Sequence, residues 1–170
     1  MIRTCEGLVD VFLVLYAINV VGISAAAYGA LIAVQATTAI VSYLPVARLA
    51  DRVGRKPFVI ATFVAFAAFP VAVVLAHDFA TLVAAFVVGG LREVGEPARK
   101  AMIVDLVRPT LRGRSIGLYY LIRSVAIAPA AFVGGVLWNV APALPFWMAG
   151  AIGLVGVVVF AATVDERYAS

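Results

Sequence analysis

The sequence predicts an all-α, polytopic membrane protein in which residues 1–170 form a single domain of six transmembrane helices. Hydrophobic residues make up 65% of the chain and charged residues only 13%, whereas soluble domains are nearer half apolar and a quarter charged. The apolar residues fall into six long stretches, each close to the length that crosses a bilayer. The Lys and Arg residues lie toward one side of these stretches, which is typical of membrane proteins.

The six spans have recognisable ends. Ser24 precedes the second span and Asp78 precedes the fourth, and both are residue types that cap helix N-termini. Pro57 suits the first turn of the third span, where the missing N–H has no helical partner to lose. Pro142 and Pro145 mark the start of the sixth. The approximate bounds are residues 3–22, 25–50, 57–76, 79–106, 115–139 and 142–164.

The loop charges predict the orientation of the chain in a cell membrane. The turns near residues 23–27, 77–78 and 139–145 contain no Lys or Arg, and every Lys and Arg lies on or toward the opposite side. That side, with both termini, is therefore predicted to be cytoplasmic. The net charge of +4 comes from membrane loops, so no nucleic-acid partner is expected.

The third and sixth spans contain no charged residue, whereas the first, fourth and fifth do. Glu6 and Asp10 lie four residues apart in the first span, and Arg123 lies in the fifth. A charge that faces lipid at this depth costs at least ~2.5 kcal/mol. The first, fourth and fifth helices are therefore predicted to line a watery cavity, and the charge-free third and sixth to face lipid. The charges in the inner half of the fourth span are Arg92, Glu93, Glu96, Arg99 and Lys100.

The most charged short run between two spans lies at residues 47–57. Its core, Asp51-Arg52-x-Gly54-Arg55-Lys56, resembles the signature loop of the major facilitator superfamily of secondary transporters, with Ala47 in place of the leading glycine. The alternative is an ordinary positive cytoplasmic loop.

The resemblance implies a function for this loop. It would latch an inner gate, with Asp51 as a charged hinge and the basic residues in contact with partners or lipid phosphates. Gly54 provides a residue without a Cβ for a sharp turn. The implied gating residues are Asp51, Arg52, Gly54, Arg55 and Lys56.

Further stretches extend the resemblance over nearly the whole chain. Gly95-x-Pro97-Ala98 resembles the end of the family's fourth helix, and residues 108–113 resemble the basic loop that follows it. Arg92 falls near the arginine of that helix. Tyr16-Ala17-x-Asn19 is more similar to a C-terminal half than to an N-terminal one. The fold implied is half of a major facilitator transporter, built from two inverted three-helix units with peripheral third and sixth helices.

Transporters of this family contain two six-helix halves. The chain is accordingly expected to be a half-length gene product, a truncated gene or a fragment. It would need a second copy of itself or a complementary six-helix half to enclose a solute.

Two carboxylates are candidates for proton coupling. Asp10 would bind a proton because apolar surroundings favour the uncharged form of a carboxyl group. Alternatively, it pairs with Arg123 or Arg92 and only holds helices together. Glu96 can reach Arg92 and Arg99 at helical spacing, which indicates either a structural ion network or a coupling role.

The remaining candidates are also open to two interpretations. Arg123 either meets an anionic substrate or counter-ion, or is the partner of Asp10. Asn19 and Gln35 either contact the solute or form hydrogen bonds between helices. Arg92 is a further candidate for substrate contact or coupling.

The predicted function is that of a secondary active membrane transporter, or half of one, which moves a small-molecule solute across the bilayer by alternating access. Proton coupling through Asp10 is an additional hypothesis. The alternative is a non-transporting membrane scaffold or a truncated remnant of such a transporter. The sequence has no nucleophile–base pair, histidine cluster or phosphate-binding loop, and Cys5 is its single cysteine. We therefore expect no enzymatic activity, no cofactor and no metal.

Overall fold

The computed structural model describes residues 2–54, 56–95 and 112–163. Within these ranges the chain is helical and contains no strand, which confirms the all-α prediction. The described helices are α1 (Ile2–Asn19), α2 (Ala25–Val53), α3 (Lys56–Val74), α4 (Phe79–Leu91), α5 (Arg112–Val140) and α6 (Leu144–Thr163).

Four of the described helices, α2, α3, α5 and α6, are long and apolar enough to cross a membrane. Helix α1 has 18 residues but includes charged positions such as Glu6 and Asp10. The described α4 has 13 residues and ends at Leu91, whereas the sequence predicted a helix to residue 106. Residues 92–95 form turns instead, and residues 96–111 lie outside the described ranges.

The predicted N-caps of α2 and α4 are confirmed. The Ser24 hydroxyl accepts a hydrogen bond from the Ala27 N–H at 3.1 Å. A carboxylate oxygen of Asp78 accepts from the Thr81 N–H at 2.7 Å, while the Asp78 N–H donates to the Thr81 hydroxyl at 3.1 Å. This reciprocal arrangement is a capping box, in which two otherwise unpaired amides at the start of α4 are satisfied.

The main helix contacts of the first three helices are repeated by the last three, with α1 corresponding to α4, α2 to α5 and α3 to α6. Helix α1 packs most extensively on α5, and its counterpart α4 packs on α2. Likewise α1 packs on α6 as α4 packs on α3, and α3 and α6 pack on each other. This pattern is the one expected of two structurally related three-helix units.

The core lies between α1, α3, α4 and α6. Phe69, Phe86 and Phe146 are completely buried. The rings of Phe69 and Phe86 meet edge to face at 5.6 Å, and the rings of Tyr16 and Phe146 are 4.9 Å apart. These aromatic contacts join α3 to α4 and α1 to α6, and all four rings belong to one cluster of buried residues.

Helices α3 and α6 approach each other closely through glycine. A Cβ atom on Gly153 would lie 2.8 Å from the Cα of Ala67, and one on Gly150 would lie 2.6 Å from a methyl group of Val71. These distances leave no room for a side chain, as is common where membrane helices pack through small residues.

Buried residues are unevenly distributed among the long helices. They make up 44% of the apolar stretch of α3 and 33% of that of α6, but only 6% and 12% in α2 and α5. Helix α3 therefore has one strongly buried face in addition to its exposed apolar residues. The predicted lipid-facing position of α3 and α6 in a membrane stays a prediction.

The capping box generates a prediction about pH. Hydrogen bonds from the Thr81 hydroxyl and amide hold the pKa of the Asp78 carboxyl below its usual value. Because the folded pKa is the lower one, this carboxylate stabilises the fold above the unfolded pKa of about 3.9, and the stabilisation is lost as pH falls through the folded pKa. Asp78→Ala should lower the melting temperature at pH 7, and this difference from the wild type should shrink as the pH is lowered below about 4.

Ser24→Ala is the matched control, because it removes a cap of α2 that carries no titrating group. Its effect on the melting temperature of the detergent-solubilised protein should be nearly independent of pH. A pH-independent loss for Asp78→Ala as well would show that the charge of Asp78 contributes nothing.

Candidate functional site

The site is built on an ion pair that joins α1 to the end of α4. A terminal guanidinium nitrogen of Arg92 (Nη1) lies 3.5 Å from Oδ1 of Asp10. The Arg92 side chain is 9% exposed, whereas the Asp10 side chain is 43% exposed. The Arg92 side chain is therefore enclosed within the six-helix unit, whereas the Asp10 carboxylate is accessible at the surface of α1.

Arg92 has further partners within the unit. Its guanidinium carbon lies 4.3 Å from the centre of the Phe69 ring and 5.3 Å from that of Phe66. Its Nε donates to the carbonyl oxygen of Gly89 at 3.1 Å. Aromatic faces and a carbonyl oxygen both stabilise a cation in an apolar medium, so the guanidinium is held in place independently of Asp10.

The segment that carries Arg92 is a tightened turn. The N–H groups of residues 92, 93 and 94 donate to carbonyl oxygens three positions earlier, at 3.2–3.3 Å. The next amide, that of Gly95, donates to the buried hydroxyl of Thr62 on α3 at 2.6 Å. Glycine is a weak helix former, and here its amide has a side-chain acceptor on a neighbouring helix.

Helix α2 adds a phenol to the same region. Tyr28 is half-buried and meets the ring of Phe86 edge to face at 6.0 Å. The ring of Phe86 in turn meets that of Phe69, which lies beside the Arg92 guanidinium. This region thus combines a carboxylate from α1, a guanidinium from the end of α4 and a phenol from α2.

Other predicted site residues lie farther away or outside the description. Asn19 is exposed at the end of α1, about 14 Å along the helix from Asp10 at the standard rise per residue. Gln35 is half-buried, and its carbonyl oxygen would lie 2.6 Å from a Cβ on Gly90, so its backbone packs against α4. The side chain of Arg123 and the whole of Glu96 lie outside the described residues.

The predicted signature loop is a tight connection between α2 and α3. Helix α2 ends at Val53, and Gly54 has a φ of 103° and donates its N–H to the Ala50 carbonyl at 3.1 Å. This φ is readily adopted only by glycine. Arg52 is exposed in the last turn of α2, where a cation is favoured by the helix dipole.

The remaining loop residues are only partly described. Lys56 is half-buried at the start of α3. The side chain of Asp51 and the whole of Arg55 lie outside the described residues.

The sequence did not identify the contribution of α3 to the site. Thr62, Phe66 and Phe69 are spaced at i, i+4 and i+7, so they share one face of α3, and all three are buried. A signal was present, because Thr62 is the one hydroxyl-bearing residue in an otherwise apolar helix. An apolar helix without charges was predicted to face lipid, and its inner face was overlooked.

Comparisons with known proteins agree on one family. The family model described as Major Facilitator Superfamily matches residues 1–170. A curated relative, the 3-(3-hydroxy-phenyl)propionate transporter of Escherichia coli (strain K12), is 32% identical over 108 residues. That match covers 63% of this chain and 27% of the transporter, so it spans about a quarter of the relative's length.

The aromatic contacts of Arg92 generate a stability prediction. Phe69 and Phe146 are both completely buried, but the guanidinium of Arg92 lies over the ring of Phe69. Phe69→Leu should therefore destabilise the protein more than Phe146→Leu, by about 0.5–2 kcal/mol. Thermal unfolding in detergent, calibrated with denaturant, measures both losses.

The same pair of variants in an Arg92→Gln background is the control. Without the cation, the additional loss for Phe69→Leu should disappear. An equal difference in both backgrounds would assign the effect to packing alone.

Proposed function

The chain belongs to the major facilitator superfamily, and on this premise we propose that it is a secondary active membrane transporter, or one half of one, that moves a small solute by alternating access. The match of the family model to residues 1–170 carries this proposal. The same match points to transport rather than to enzymatic activity.

We further propose that Asp10 couples the movement to protons. Its carboxylate is 43% exposed and adjacent to Arg92, whose guanidinium stays charged at any physiological pH. Protonation of Asp10 would cancel its attraction to Arg92. The link between α1 and α4 would then weaken, which is a means of coupling proton binding to helix movement.

The solute class that best fits this site is a small carboxylic acid. A carboxylate could neutralise the Arg92 cation once Asp10 has taken up a proton, because guanidinium and carboxylate groups match in charge and geometry. The curated relative is a transporter of 3-(3-hydroxy-phenyl)propionate, which carries a carboxylate. Arg123, Asn19 and Gln35 remain proposed solute contacts, and Glu96 a proposed coupling residue.

The transport pathway is proposed to require a second six-helix unit, either another copy of this chain or a complementary half. Helices α2 and α5 have the fewest buried residues among the long helices, so their faces are the ones left for such a unit to cover. The match to the relative covers 27% of that protein, which is compatible with a pathway built from more than these six helices.

The test of coupling is uptake of radiolabelled 3-(3-hydroxy-phenyl)propionate into proteoliposomes under an imposed pH gradient. The wild type should accumulate the solute, and Asp10→Asn should lose gradient-driven accumulation by about fivefold or more while remaining folded in the membrane. Glu6→Gln, on the same helix, is the control and should accumulate the solute as the wild type does.

Two outcomes would count against the proposal. Unchanged accumulation in Asp10→Asn would eliminate Asp10 as the coupling group. A wild-type protein that remains a monomer and moves no solute from a panel of small acids would favour the non-transporting scaffold instead.

The loop between α2 and α3 is proposed to lie on the cytoplasmic side, where its basic residues latch the inner gate. Single cysteines test this orientation in a Cys5→Ala background. Arg52→Cys, which is at an exposed position, should react with a membrane-impermeant maleimide only in inverted vesicles. His77→Cys, at the exposed turn before α4, should react only from the outside of intact cells, and the reverse pattern would overturn the proposed topology.

A further inference from the structure

We infer that Thr62 is a positioning residue for the Arg92–Asp10 ion pair. It acts by accepting the Gly95 N–H and thereby holding the turn that carries Arg92 against α3. The consequence for transport rests on the proposed function, whereas the positioning itself does not.

Thr62 and Arg92 are the buried polar or charged residues of the described part of the chain, with exposures of 2% and 7%. A polar group in an apolar interior is unfavourable unless it has a hydrogen-bond partner. Both residues are satisfied at the same place, the junction of α3 with the end of α4. The burial of two polar side chains together marks this junction as a specific contact rather than general apolar packing.

One face of α3 contacts the whole segment from Gly89 to Gly95. Phe69 lies under Gly89, since a Cβ on that glycine would be 2.7 Å from the ring. Phe69 and Phe66 flank the guanidinium of Arg92. Thr62, one turn earlier on α3, binds the amide of Gly95. Three successive turns of α3 therefore determine where this segment lies.

The hydrogen bond at Gly95 depends on close backbone approach. A Cβ at this position would collide with the Thr62 hydroxyl and lie 2.6 Å from the carbonyl oxygen of Phe58. A side chain at residue 95 would push the turn away from α3. Without the Thr62 hydroxyl, the buried Gly95 N–H would lose this acceptor, and the turn would have to shift to find another.

Such a shift would act on the ion pair. Arg92 is three residues before Gly95, so the two are about one helical turn apart. The 3.5 Å separation between Arg92 and Asp10 is already at the outer limit of a hydrogen bond. A small displacement of the turn is therefore enough to separate the two charges.

A double-mutant cycle tests this inference in the purified full chain. The melting temperature is measured for Thr62→Val, which keeps the shape of the side chain but removes the acceptor, for Asp10→Asn, and for the double variant. Residues without shared partners usually have additive effects. If Thr62 positions the pair, the double variant should lose less than the sum of the two single losses. Thr62→Ser keeps the hydroxyl, so in that background Asp10→Asn should lower the melting temperature by as much as it does in the wild type.

Thr163→Val is the matched control. The Thr163 hydroxyl donates to the Val159 carbonyl within α6 at 2.7 Å, so its loss should be additive with that of Asp10→Asn. Additive losses for Thr62→Val as well would overturn the inference and assign Thr62 to ordinary packing. This result would leave the proposed transport function intact, because the cycle measures stability and not flux.

A transport measurement then separates positioning from folding. In proteoliposomes, Thr62→Val should reduce pH-driven uptake of 3-(3-hydroxy-phenyl)propionate by about fivefold or more. The same variant should retain exchange of the solute across the membrane at equal pH. Thr62→Ser should show wild-type rates in both measurements. An equal decrease of driven uptake and exchange would contradict a positioning role.

Discussion

A permanent cation inside an apolar protein must be surrounded by groups that compensate its charge, and the structure around α4 follows from this requirement. Arg92 is enclosed by a carboxylate from α1, two aromatic rings from α3 and a carbonyl oxygen of its own helix. These partners come from α1, which is distant in the sequence, and from the consecutive helices α3 and α4. The charge therefore favours one arrangement of these helices, in a core that is held mainly by non-directional apolar contacts.

Much of the fold could be predicted because its signals are local. The apolar spans, the caps at Ser24 and Asp78 and the glycine turn at residue 54 each depend on a few neighbouring residues. The turn at residues 92–95 could not be predicted, because the Gly95 amide in it binds a hydroxyl thirty-three residues away in the chain. Membrane-span prediction also treats a charge-free helix as a lipid-facing one, and so it does not detect a helix such as α3 that buries one face.

Some residues of the candidate site could be named from the sequence, but their contacts could not be predicted. The cost of exposing charge to lipid singled out Asp10, Arg92 and Arg123, and it left two arginines as possible partners for the carboxylate. Helix spacing cannot decide between them, since the choice depends on how α1 packs against α4 and α5. The structure brings Arg92 to Asp10 and adds the α3 residues Thr62, Phe66 and Phe69, whose contribution comes from packing and not from charge.

The contact between α3 and α6 limits how these two helices can move. At Gly153 the surface of α6 reaches the backbone of Ala67, and both neighbours of this glycine along the helix bear large side chains. Successive residues of a helix point about 100° apart, so rotating α6 about its own axis would turn one of these side chains toward a gap that accommodates only a hydrogen atom. The contact thus restrains rotation of the two helices, and α1 and α4 pack directly on the pair that they form.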